Sequence, residues 1–369
     1  MRHRITGEAM KDTKGEIYAI DARMIEESGI GTYIRMMLRT GKYSVALGSE
    51  SKIRKYDKEI KIISFEEKIY SIKEQFKYPY KQLRRNGVTV LHAPHYNAPL
   101  FWNGKLTVTI HDLIHLKFPQ YLPNKAAFVY AWFMMKYVCV RAGRIYTVSD
   151  FTKQDLIHIL HAKEDKIRIT YNTVEECFQC RNRSEVDYLL SRYGIPKENK
   201  IILYVGNLKP HKNLVALIEA FSLIRMKDLN LVLVGRCFNR NKGNDLFSGT
   251  EKIRRVVMTG AVSKEELVDW YNVADVFAFP SLYEGFGVPP LEAMACGTPT
   301  VCSRAASMPE IVGNAAVMVD PADVNSIQQG LEKTLNMTSE EKTDLIEKGY
   351  KRVELFRRKC ETSKPTQPA

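Results

Sequence analysis

Glu284 and Glu292 stand eight positions apart, on either side of a Gly-x-Gly turn and a Pro-Pro step. The stretch reads Glu284-Gly285-Phe286-Gly287-Val288-Pro289-Pro290-Leu291-Glu292 and follows the apolar run Val276-Phe277-Ala278-Phe279-Pro280. Such a run reads as a buried strand of a parallel sheet. Proline is favoured in the first turn of a helix, so Pro289 or Pro290 is expected to open one. Gly297 is expected to close it, as a glycine after the last turn commonly does. The unit is therefore strand, glycine-rich loop, helix. Loop amides and a helix N-terminus make a seat for anions. Two carboxylates cannot hold phosphate, so they must grip something neutral and hydroxylated. A sugar and a ribose joined through phosphates fit that description.

A second group is Gly206-Asn207-Leu208-Lys209-Pro210-His211-Lys212-Asn213, between the apolar run Lys200 to Val205 and a helix expected from about Asn213 to Leu223. A lysine beside a helix start suits a diphosphate, and Lys212 would neutralise a leaving group as a sugar–phosphate bond breaks. Alone, the segment reads as a surface lysine cluster; beside the Glu284 loop it reads as functional. Ser28-Gly29-Ile30-Gly31-Thr32-Tyr33 is expected as a loop before a helix, its glycines letting backbone approach a ligand. No third glycine follows at the offset of a dinucleotide fingerprint. His111-Asp112 follows the run Leu106 to Ile110, where an α/β domain presents side chains to its ligand; the alternative is a histidine that only caps a strand end. His92-Ala93-Pro94-His95-Tyr96-Asn97 ends the run Val88 to Leu91 and could line an acceptor pocket. There is no Asp-x-Asp and no Gly-x-x-x-x-Gly-Lys-Ser/Thr. Clustered carboxylates for a diphosphate-bound cation and an ATP-binding P-loop are both missing.

The elements that must position these groups recur along all 369 residues. Strands are expected at Ile17–Ile20, Tyr43–Leu47, Ile60–Phe65, Val88–Leu91, Leu106–Ile110, Arg144–Val148 and Ile167–Tyr171. A second series is expected at Lys200–Val205, Asn230–Val234, Arg255–Met258, Asp275–Phe279, Thr298–Cys302 and Ala316–Val319. Most are rich in Val and Ile and alternate with helical stretches, the grammar of two doubly wound α/β domains with ligands at the C-terminal ends of the strands. The expected division is 1–176, a linker over 177–198, a second domain over 199–345, and a C-terminal helix and tail over 346–369 that could cross back to the first domain.

No apolar run approaches the length of a membrane span. The longest, Ala126 to Met135, reads as a buried helix. Met1 to Gly15 is polar, lacks the core of a signal peptide and is expected to be a tail before the first strand. Seven scattered cysteines fit a reducing cytoplasm, and Cys177-Phe178-Gln179-Cys180 reads as two unrelated thiols. Net charge is +13. Residues 1–176 hold 29 basic against 19 acidic side chains, and Lys52 to Arg85 alone hold 11 against 5, interleaved with Tyr70, Phe76, Tyr78 and Tyr80. Such a face suits an acidic membrane surface or is simply solvated; no nucleic-acid motif is present.

Together these elements resemble retaining glycosyltransferase family 4, which has the GT-B fold of two Rossmann-like domains, and most of all its bacterial polysaccharide mannosyltransferase-like branch. The resemblance runs from Ile20-Asp21-Ala22-Arg23 and Gly29-Ile30-Gly31 through His111-Asp112-Leu113, Thr147-Val148-Ser149-Asp150 and Val205-Gly206-Asn207-Leu208 to Glu284 to Gly287, Glu292 to Pro299 and Pro309-Glu310. It implies transfer of a hexose, mannose first, from a nucleoside-diphosphate sugar (GDP-mannose or a UDP-sugar) to a glycan or lipid-linked acceptor, with no obligatory metal and no other cofactor. It implies catalytic roles for His111, Glu284 and Lys212. Glu292 would bind the donor's ribose, with Phe286, Gly287, Val288, Gly206, Asn207, Lys212 and Gly31 around the donor. Gly29, His92, His95, Tyr96 and Asp112 would stand on the acceptor side. The favoured chemistry is same-face attack, the departing phosphate accepting the acceptor's proton; a carboxylate nucleophile is the rival. Three features depart from the family. His211 stands where many relatives carry Arg, so diphosphate binding would depend on its proton. Asn172-Thr173 replaces Asn-Gly, and the C-terminal helix is expected to be short. A GT-B epimerase or phosphorylase, or a non-catalytic sugar-nucleotide binder, are the competing readings.

Overall fold

The computed structural model describes residues 15–235 and 255–363. The tail expected before the first strand lies almost wholly outside them, as do the last six residues. The described chain forms two compact units, one of residues 15–171 with 362 and 363, the other of residues 172–361.

In the first unit seven parallel strands run β1 Tyr18–Asp21, β2 Val45–Gly48, β3 Lys61–Ser64, β4 Val90–Ala93, β5 Lys105–Thr109, β6 Arg144–Thr147 and β7 Ile167–Ile169. Their order is β3-β2-β1-β4-β5-β6-β7. In the second unit six parallel strands run β8 Lys200–Val205, β9 Leu229–Val234, β10 Val256–Gly260, β11 Val276–Phe279, β12 Thr300–Ser303 and β13 Val317–Val319, in the order β10-β9-β8-β11-β12-β13. The Val/Ile/Leu-rich runs become strands because helices cover both faces, and all six residues of β9 are buried. In each sheet the winding reverses once, between β1 and β4 and between β8 and β11. Crevices for ligands open at such switch points, beyond the C-terminal strand ends.

Local chemistry sets the helix starts. Asn124 caps helix Lys125–Arg141 by accepting from the Ala127 amide. Ser263 does the same for helix Lys264–Val273 through Glu266. Four expectations are revised. The glycine segment expected as a loop is already helix, which runs Ser28–Leu38. Residues 177–198, expected as a linker, are folded into the second unit through the short helices Arg183–Val186 and Tyr188–Arg192, which bury Val186, Leu189 and Leu190. The last helix is long, Ser339–Ser363. Finally, the apolar helix Lys125–Arg141 is only half buried. Ala131, Met134, Met135, Val138 and Cys139 face the core while Val129, Trp132, Phe133 and Val140 face solvent. A segment apolar all round carries no periodic signal of which face will be covered. Among the described residues no helix is long and apolar enough to cross a membrane.

Candidate active site

The second unit brings two loops together at its switch point. Residues 206–213 leave β8, and residues 280–287 leave β11. The first loop turns through the short helix Pro210–Lys212 into a left-handed Asn213, at φ +59°. Asparagine tolerates that conformation better than most residues. Here the Asn213 amide nitrogen donates to the carbonyls of Pro280 at 3.1 Å and Pro321 at 2.6 Å. The Leu282 amide donates to the His211 carbonyl at 2.8 Å. The loops are thereby stitched twice, once backbone to backbone and once by the Asn213 side chain on Pro280. Lys212 Nζ then meets Glu284 Oε1 at 2.6 Å, across 72 residues of sequence. Both side chains are largely buried, and Lys212 Nζ also lies 5.3 Å from the centre of the Phe279 ring.

The Glu284 loop is held from beneath by Ser307. Its hydroxyl lies 3.0 Å from the Glu284 carbonyl and 3.1 Å from that of Phe286. Gly287 follows at φ +88° as the cap of helix Val288–Ala295, and a Cβ there would overlap the Met308 methyl. Only glycine meets both conditions. The Phe286 ring is buried, edge-on to Phe356 at 5.4 Å, so this residue can offer a ligand its backbone alone. Val288 begins the helix, among the amides that have no partner within it.

Glu292 sits within that helix and accepts from the Tyr271 hydroxyl at 2.8 Å. Burial raises its carboxyl to about 7, with Glu175 adding to the rise and Tyr271 and Lys264 opposing it. Three buried side-chain oxygens close to these strand ends, Asn207 Oδ1, Ser281 Oγ and Ser303 Oγ, have no hydrogen-bond partner among the described residues. Buried polar atoms without partners are uncommon, and they follow or end β8, β11 and β12. Gly206 has a local reason to be glycine as well, since a Cβ would stand 2.7 Å from the Tyr204 hydroxyl.

The first unit places the remaining candidates. His111 follows β5; its Nε2 lies 3.0 Å from the Pro94 carbonyl and its ring is edge-on to Tyr33 at 5.0 Å. A carbonyl can only accept, so Nε2 carries the proton and Nδ1 is an acceptor. Burial lowers this imidazole to about 4 and keeps it neutral at physiological pH. Asp112 caps the next turn by accepting from the Ile114 amide. Tyr96 shares a 2.7 Å hydrogen bond with His115 Nδ1 and lies 5.2 Å from the Tyr70 ring. His95 is buried, with Nε2 3.5 Å from Asp21.

That aspartate belongs to a network missed in the sequence. Arg23 reaches both Asp21 and Glu74 at 2.5 Å, and Glu74 continues through Asn97 to Tyr130. Burial works against Asp21, yet Arg23 and His95 hold its carboxyl far below the usual range.

One expectation fails here. His92 belongs to β4, between Ile20 of β1 and Thr107 of β5. Its Nδ1 bonds Tyr43 at 2.6 Å, its Nε2 bonds Thr109 at 2.8 Å, and burial lowers it to about 3. No ring atom is left for an acceptor. Gly31 is close to its own chain, since a Cβ would sit 2.5 Å from the Ile25 carbonyl, while Gly29 has open space around it. Tyr271 and Ser307 have no signal in the local spacing that points to them; only the fold brings them to Glu292 and the Glu284 loop. Among the described residues no three His, Cys, Asp or Glu side chains gather to hold a metal ion, and the described cysteines are free thiols.

Residues 46–176 match the family described as Glycosyltransferase Family 4, and residues 189–352 match Glycosyl transferases group 1. The chain is 31% identical over 250 residues to the O-antigen chain mannosyltransferase B of Escherichia coli, covering 67% of this chain and 65% of that protein. It is 29% identical over 238 residues to the O-antigen chain mannosyltransferase RfbU of Salmonella typhimurium, covering 64% and 62%. The match thus spans less than two thirds of either relative. Among solved structures, Anabaena HepE in complex with UDP and glucose superposes with a TM-score of 0.77 at 15% identity, covering 94% of this chain and 97% of that one. Such a likeness establishes the fold, GT-B.

Proposed function

Because the chain belongs to the GT-B glycosyltransferases built from a family 4 domain and a group 1 domain, we propose that it moves a hexose from a nucleoside-diphosphate sugar to a glycan or lipid-linked acceptor with retention. GDP-mannose is the first donor and a UDP-sugar the second. The relatives named as O-antigen mannosyltransferases favour mannose and surface polysaccharide synthesis. The place of work that goes with this is the cytoplasm, with peripheral contact on the inner face of the membrane.

The observation that carries the reading is the Lys212–Glu284 pair, held by two stitched loops at the switch point. Each partner is complementary to one half of a sugar diphosphate. The diphosphate competes for Lys212, whose charge then stabilises the leaving group as the glycosidic bond breaks. Released from the lysine, Glu284 accepts from hydroxyls of the transferred sugar. Glu292 accepts from the ribose, and the amides of residues 286–288 face the phosphates. Neutral His111 accepts a hydroxyl through Nδ1 and brings no charge to the oxocarbenium-like centre. Arg23 and Glu74 hold the segment carrying His95 and Tyr96 on the acceptor side. The departing phosphate takes the acceptor's proton.

Incubation with GDP-mannose or UDP-hexoses, with and without saccharide acceptors, tests this. Nucleotide released only with acceptor, and an α-linked product by NMR, are expected. Release without acceptor, or an inverted product, overturns it.

A further inference from the structure

Helix Lys125–Arg141 turns an apolar stripe to solvent. Val129 is 61% exposed, Trp132 47%, Phe133 50% and Val140 72%. With Lys136 they fall at helical positions i, i+3, i+4, i+7 and i+11, a single face about 16 Å long. The patch continues beyond the helix. The Phe133 ring stacks on Tyr137 at 6.4 Å, and the Tyr137 hydroxyl donates to the Leu100 carbonyl at 3.0 Å. Next in the chain, Phe101 is 52% exposed, and its ring lies 6.0 Å from that of Phe76, 74% exposed. Exposed apolar surface this extended marks an interaction site.

Its border is cationic. The Phe101 ring contacts Tyr80 at 6.4 Å, and Tyr80 opens the short helix Tyr80–Arg85, which exposes Lys81, Arg84 and Arg85. Lys73 and Lys77 lie on the helix that carries Phe76, Lys77 paired with Glu67. A symmetric second copy would bring these like charges towards one another. An anionic bilayer satisfies both parts, taking aromatic rings at headgroup depth and pairing the cations with lipid phosphates.

We propose that this face of the first unit docks on an anionic membrane surface. Trp132, Phe133, Phe101 and Phe76 enter the headgroup region, and Lys81, Arg84 and Arg85 meet lipid phosphates. This gives the peripheral contact named above a defined surface, and lipid binding needs neither donor nor acceptor. A failure of sugar transfer would therefore leave it standing.

The chain has three tryptophans. Trp102 and Trp270 are buried, so a lipid-induced change in tryptophan emission reports Trp132. The full chain is mixed with phosphatidylcholine vesicles containing phosphatidylglycerol and with vesicles of phosphatidylcholine alone. Co-sedimentation and a blue shift are expected only with the first. Trp132→Phe should keep binding and lose the shift. Lys81→Ala with Arg84→Ala and Arg85→Ala should weaken partitioning about 100-fold, from about fivefold per basic residue. Phe76→Ser with Phe101→Ser and Phe133→Ser should abolish it with an unchanged thermal melt. Absence of co-sedimentation, or equal binding to both vesicles, overturns the proposal. So does a dimer in sedimentation velocity that the phenylalanine variant dissolves while lipid binding persists.

Discussion

Donor affinity followed against pH, in the native chain and in Glu292→Gln, tests the carboxylate assigned to the ribose. Burial raises Glu292 to about 7 in the ligand-free protein, Glu175 adds to this, and the Tyr271 hydroxyl and Lys264 oppose it. Ribose hydroxyls donate to an ionised carboxylate and hold it ionised in the complex. The apparent Kd then scales with the fraction of carboxylate that must first lose its proton, so affinity should fall about tenfold between pH 8 and pH 6. A nucleoside-diphosphate sugar does not titrate there, because both phosphates are esterified, so the slope belongs to the protein. Calorimetric titration in buffers of different ionisation enthalpy should also show release of close to one proton at pH 6. Glu292→Gln should remove the slope. Tyr271→Phe should move the break to higher pH by removing the hydrogen bond that favours the ionised form. A proton on His211 would tighten diphosphate binding towards low pH, the opposite sign, so net weakening isolates Glu292. A flat profile in the native chain, or the same slope in Glu292→Gln, refutes the reasoning.

Glu292 should also show in stability. Its folded value stands above the ordinary 4.5, so the folded chain holds this proton more tightly than the unfolded one. Stability from this group is present below about pH 4.5 and is lost as the pH rises towards about 7, amounting to about 3 kcal/mol. Without donor, Glu292→Gln should therefore melt higher than the native chain at pH 8.

Glu284→Ala and Lys212→Ala should each lower kcat/KM about 100-fold or more while circular dichroism stays native; full activity in either sinks the site. Gly287→Ala should cost about 2–4 kcal/mol in urea denaturation, from left-handed strain plus overlap with Met308, and Met308→Ala should recover only part of it. Native stability of the single variant would refute the backbone argument. Turnover should persist in excess EDTA; loss restored by Mg²⁺ would refute metal independence.

Much of the fold was legible because its signals are local. Each of the thirteen strands among the described residues overlaps an expected run, and β8 coincides with Lys200–Val205. Buried parallel strands announce themselves as short apolar runs between polar turns. The strand–loop–helix around Glu284 was readable for the same reason, down to Gly297 in the left-handed conformation just past the helix end. Where a boundary slipped, an assignment failed. β4 ends at Ala93 and not at Leu91, and those two residues carry His92 out of a supposed pocket into the middle of a sheet. The helix at Ser28 begins before its glycines, so Gly31 answers to the Ile25 carbonyl.

By itself the sequence determined two parallel α/β units, the strand–loop–helix that carries Glu284 and Glu292, and the presence of a lysine and a histidine at strand ends. Those depend on residues within one turn or one loop of each other. Tertiary structure alone decided that Lys212 faces Glu284 across 72 residues, that Tyr271 and burial bring Glu292 into the neutral range, that His92 is core, and that Trp132 and Phe133 look outward. Hydrophobic periodicity records that a segment must be covered, but what covers it, and what faces a charge once water is excluded, depends on which distant strand ends the sheet sets side by side.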